Sequence, residues 1–191
     1  YINNCLFYNN TATGGSLGGA LYNARSPVKV TNSSFIDNSC QGNGSAIDGQ
    51  ATTVVNCLFY NNTSNGTVKD MQVTAGSGST NNASDEGTSS LVNAGSGFVT
   101  ISSSSIFQDY SDGDGADNVL GTSDDGLKPT PSSILLAAGT SVGAPVEDIT
   151  GEIRPSTPSI GAHDFPYIFV NHSATGNNDG SSWANAYTDL Q

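Results

Sequence analysis

The chain has 191 residues, of which only 12% are charged, and its 17 acids against five bases leave a formal net charge of −12. That balance lacks the basic footprint that phosphate binding needs, and it excludes nucleic acid and anionic membrane surfaces as natural partners. An abundance of Gly, Ser, Thr and Asn, which compete with the helical backbone, argues against a helical protein; no apolar run approaches the ~20 residues of a membrane span, and YINNCLFYNN has neither the basic nor the apolar region of a leader.

The first predicted elements repeat. CLFYNN at 5–10 recurs at 57–62, with a weaker copy, SSFIDN, at 33–38. The phenylalanines Phe7, Phe35 and Phe59 fall at a solenoid period, and GGAL at 18–21 and GSAI at 44–47 keep the same beat between them. VKVTNSSF (28–35) and TTVVNCLF (52–59) are rich in β-branched residues and read as strands. Alignment sets Val30 with Val54, Asn32 with Asn56, and Cys5 with Ser33 and Cys57, so small and aromatic side chains stack inward. Asn32 and Asn56 interrupt the alternation where a coil must bend, because Asn tolerates the left-handed conformation of a corner, and their amides are placed to form a ladder. A single coil cannot bury its own core, so each needs its neighbours.

The landmarks FYNN, FIDN and FYNN, alternating with GGAL and GSAI, resemble the FxxN and GGA[ILV] repeats of the chlamydial polymorphic outer-membrane proteins and related bacterial adhesins. The resemblance implies an all-β fold, a right-handed parallel β-helix on a cell surface, over residues 1–106.

From 107 the beat is lost and acids concentrate in FQDYSDGDGADNVLGTSDDGL. With the later DITG-x-x-R and IGA-x-[DE] elements, residues 107–165 resemble the choice-of-anchor Q domain of secreted proteins from Bacteroidota and other bacteria, departing from it where His163 and Asp164 replace Tyr and Glu. That resemblance implies a loop-rich cap module, export and surface attachment, including by type IX secretion. Residues 166–191 resemble the opening of a further β-helix unit, with Thr188 as a helix N-cap and Asp189 in its first turn. The chain therefore reads as a junction in a tandem array, with neighbouring repeats of the same polypeptide as its partners and surface glycans or cell-surface ligands beyond them.

One cluster has the chemistry of a metal site. Hard Ca²⁺ takes six to eight oxygens, and Asp112, Asp114 and Asp117, with Asp124 and Asp125 second, are the candidate ligands. The competing reading is a solvated loop of Asx-turns; the pattern is neither an EF-hand nor a nonapeptide roll. Catalytic readings fare worse. Arg25, Lys29, Lys69, Lys128 and Arg154 are scattered, nothing resembles the NTD, DD, GHG and RIK elements of the polygalacturonases, and His163 and His172 read as packing or surface residues. Cys5 and Cys57 read as small core residues, with Cys40 in a loop. No catalytic residue is assigned. The expected function is a non-enzymatic, extracellular adhesin or stalk repeat, against the alternative of a polysaccharide lyase or glycoside hydrolase whose active site lies outside this chain.

Overall fold

A computed structural model of the chain describes residues 1–15, 17–25, 27–50, 52–72, 76–87, 92, 95–165, 170–177 and 186–189. Short extended segments over the first hundred residues coil into a parallel β-solenoid of about three turns. β1 (Ile2–Asn3), β5 (Val28–Thr31) and β9 (Thr52–Val55) form one sheet. β2 (Leu6–Tyr8), β6 (Ser34–Ile36), β10 (Leu58–Tyr60), β13 (Ala83–Ser84) and β14 (Val99–Thr100) form the longest. β3 (Thr11–Ala12), β7 (Ser39–Cys40), β11 (Thr63–Ser64) and β12 (Thr67–Val68) form the third, and β4 (Leu21–Asn23) pairs β8 (Ile47–Gly49). Every pair is parallel except β11 with β12, a hairpin that closes the third sheet.

The register is the one the repeat demands. Phe7 pairs with Phe35 and Phe35 with Phe59, Val30 with Val54, and Leu21 with Ile47. The three phenylalanine rings lie nearly parallel, with centroids 4.6 and 5.0 Å apart, and Phe35 and Phe59 are fully buried among Val30, Ile47, Val54, Cys57 and Met71. Asn4, Asn32, Asn56 and Asn81 sit at the bend after the first sheet with φ of 51°, 44°, 54° and 53°. An ordinary side chain there costs about 1–2 kcal/mol, a strain that Asn relieves. The first glycine of each GGAL or GSAI unit is equally constrained: Gly18 and Gly44 have φ of 68° and 65°, and a Cβ on either would lie 2.5 Å from the carbonyl oxygen of Leu21 or Ile47.

A second ladder runs inside the coil. In each FxxN unit the Asn turns inward, so that Asn10 Nδ2 donates to Asn38 Oδ1 at 2.8 Å and Asn38 Nδ2 to Asn62 Oδ1 at 2.9 Å. Asn38 and Asn62 also donate to the carbonyls of Phe7 and Phe35, both at 3.0 Å. Phe and Asn three residues apart thus serve one purpose, the ring packing between coils and the amide satisfying the polar groups of the bend.

Cys40 lies on β7 and is buried, not in a loop as its local sequence suggests. A 3₁₀ turn at Ser104–Ile106 leads out of the solenoid, and 107–165 follow as turns and isolated bridges. Of the segment 166–191, expected to open the next unit, residues 166–169, 178–185 and 190–191 lie outside the described ones; Val170 and Tyr187 form an isolated parallel bridge, and no helix begins among the described residues near Thr188.

Candidate functional site at the solenoid flank

The loop-rich module lies along one side of the solenoid, touching successive coils. The outer face of the five-stranded sheet supplies Leu6, Tyr8, Ile36, Leu58, Tyr60 and Ala83; against it pack Ile106, Phe107, Leu127, Leu135 and Ile160. The described residues therefore form two apolar cores, one inside the coils and one between the sheet and the module.

Polar contacts follow the same line, because a left-handed corner turns its side-chain amide outward. Asn4 Nδ2 donates to Glu147 O at 2.7 Å, Asn32 Nδ2 to Ser159 O at 3.3 Å, Asn56 Nδ2 to Thr140 O at 2.8 Å and Asn81 Nδ2 to Ala138 O at 2.8 Å. Thr140 N donates back to Asn56 Oδ1 at 2.8 Å, while Asn56 Nδ2 also reaches Asn32 Oδ1 at 3.1 Å. The corner column thus carries one amide-to-amide rung, Asn56 to Asn32, and a row of sockets for the module's main chain.

Arg154 fastens the far end. Its guanidinium meets Asp164 at 2.6 Å, both side chains 2% exposed, and reaches Asn4 Oδ1 at 2.9 Å and Ala162 O at 2.8 Å. Asp164 also accepts from Ser159 N and Oγ, and its own N–H donates to Asp148 at 2.8 Å. Asp148 caps the turn that begins DITG, accepting from Thr150 and Glu152; burial works to raise its pKa, and these hydrogen bonds hold it below the usual carboxylate value. The motif residues Asp148, Arg154 and Asp164 are therefore one buried network.

Of the five candidate calcium ligands, Asp117, Asp124 and Asp125 gather around Thr122 Oγ1, at 3.5, 2.7 and 3.3 Å. Asp125 is fully buried and accepts from His163 Nε2 at 2.9 Å and from the N–H groups of Gly121 and Thr122. Burial works against its ionisation, yet His163 and Gly121 bring its pKa below the ordinary one. Asp117 and Asp124 are exposed: Asp124 accepts from Thr122 Oγ1 at 2.7 Å and from Asp117 N at 3.1 Å, and Asp117 from Val119 N at 2.8 Å. Asp112 and Asp114 instead stand near Tyr8, whose phenol is shifted upward chiefly by burial, then by Asp37 and these two carboxylates. Among the described residues no three His, Cys, Asp or Glu side chains come together as a metal site. His163, read from sequence as a packing or surface residue, is a buried packing residue; His172 is exposed. Cys57 is buried and its thiol pushed up to about 12, chiefly by desolvation.

The flank itself was not foreseen. Its signal was present, since Asn4, Asn32, Asn56 and Asn81 recur at the coil period, but nothing in the local sequence says what those amides face.

Fold and flank together define the class: an all-β parallel solenoid braced along one side by a loop module. No protein-family model, no curated protein and no solved structure matches the chain.

Proposed function

We propose that the chain is a non-enzymatic structural unit of a bacterial cell-surface adhesin or stalk, working by length and stiffness, with neighbouring β-helix repeats as its partners and surface glycans or cell-surface ligands beyond them. One observation carries this reading: five residues with reactive chemistry in the second half, Arg154, Asp164, Asp148, Asp125 and His163, are committed to buried contacts within the module and, through Arg154, to the solenoid. A solenoid contacts only adjacent coils and opens one coil at a time, whereas a strap bonded to the corner of each coil makes neighbours open together. Such bracing suits a projecting rod. The described residues contain no helix long and apolar enough to cross a membrane.

The test is electron microscopy of cells bearing the protein, alongside incubation of the purified protein with uronic-acid polysaccharides. Regularly spaced rods joined at short bends, with the polysaccharide intact, are expected. Beads on slack tethers, or measurable cleavage, would overturn the proposal.

A further inference from the structure

The inner amide ladder ends on a carboxyl group. Asn62 Nδ2, the last amide of the series from Asn10 and Asn38, donates to Asp70 Oδ1 at 2.9 Å. Among the described residues no further Asn continues the column; the β11–β12 hairpin turns the chain back and sets Asp70 there instead. Asp70 is fully buried, and its second oxygen meets Ser84 Oγ, which also accepts from Glu86 N at 3.0 Å. The group thus joins three pieces of the last coil: the residues after β10, the hairpin, and β13.

Among the described residues no cation bonds to its carboxyl group. On its own segment, the Lys69 ammonium is directed to Glu86 Oε1 at 3.4 Å. From the β13 side come two more acids: Glu86, whose other oxygen accepts from Asp70 N at 3.1 Å, and Asp85, which has a buried carboxylate oxygen without a hydrogen-bond partner. From the preceding coil, Ala46 and Ile47 present only N–H groups to the Asp70 carbonyl, both at 3.0 Å. A buried carboxylate facing amide, hydroxyl and acids alone favours its neutral form. The neutral group also fits the site: Oδ1 accepts from Asn62, and the bond that Ser84 Oγ donates to the ionised Oδ2 reverses, a proton on Oδ2 donating to Ser84 Oγ, which has a lone pair left for Glu86 N–H.

We propose that Asp70 is a proton-operated latch on the last coil, closing the amide ladder when protonated and loosening the hairpin and β13 when ionised. Burial, reinforced by Asp85 and Glu86 and opposed by the Ser84 and Asn62 hydrogen bonds, raises its pKa from 3.8 to about 7. The folded value exceeds the unfolded one, so the folded chain holds the proton that the unfolded chain has released. The stabilisation is complete below the unfolded value and is lost as pH rises through the folded one, by up to about tenfold in the folding equilibrium per pH unit between them.

Asp70→Asn tests this, because the amide reproduces the neutral carboxyl: its oxygen accepts from Asn62 and its NH₂ donates to Ser84. Denaturant unfolding of both proteins at pH 5 and pH 8, with titration of the Asp70 carboxyl carbon by NMR in the native protein, gives the readout. Between those pH values the native folding equilibrium is expected to fall on the order of a hundredfold more than that of Asp70→Asn. Parallel pH dependence in the two proteins, or an Asp70 carbon titrating near the ordinary carboxylate value of about 4, overturns the proposal. Should the variant fail to fold, the native titration decides alone.

Discussion

At the scale of the residue, the fold rests on few side-chain types, each used for a property its neighbours lack. Asn occupies the left-handed bends because its short amide relieves that conformation, and the same amide then bonds either to the next coil or to the module. Phe occupies the inner stack because parallel strands hold identical residues in register, one ring over the next. Phe35 lies in the middle of that stack and is fully buried, so Phe35→Ala leaves a gap that neither flanking ring can fill without breaking its own register. A loss of about 3–5 kcal/mol is expected, read as a lower midpoint in denaturant unfolding. Tyr8 is only partly buried, and its replacement should cost less. An unchanged midpoint for Phe35→Ala would show the inward stack to be wrong. The inward stack and the Asn bends are legible in the sequence, since period and residue type together determine them, whereas the module that the amides face is not.

Elements show where legibility ends. The strands around VKVTNSSF and TTVVNCLF could be read from β-branched residues and the repeat, and β4 and β8 follow GGAL and GSAI. The module could be recognised as different but not placed: its turns have no periodicity, and its partners lie far away in sequence, as with Asn4 and Arg154. Cys40 was misplaced for a related reason, since a strand of two residues carries too little pattern to be seen. In the acidic loop closely spaced Asp suggests calcium, and N–H and O–H donors from Gly121, Thr122, Val119 and His163 also bond to Asp117, Asp124 and Asp125. Hydrogen bonds of this kind to ionised carboxylates offset their mutual repulsion without a cation. Chelation of divalent ions is accordingly expected to leave the melting temperature unchanged; a fall of several degrees, restored by added calcium, would establish the loop as a calcium site.

For the whole molecule, the consequence is coupling. A solenoid alone frays from its terminal coils, because each coil is held only by the next. Here the outer face of the longest sheet is a second core, and the module bonds to the corner of each successive coil from Asn4 to Asn81. The module and the coils should therefore open as one cooperative unit, the central claim of this account. Native-state hydrogen exchange tests it most directly. Amides buried in the solenoid, such as those of Asn32, Leu58 and Ala83, and amides that tie the module to it, such as those of Thr140, Gly161 and Ala162, are expected to exchange with one opening free energy. Arg154→Ala should lower that energy for both sets, since it leaves Asp164 buried without its cation. Rapid exchange of the module amides while the solenoid amides stay protected would contradict the account, because the module would then be an appendage and not a brace.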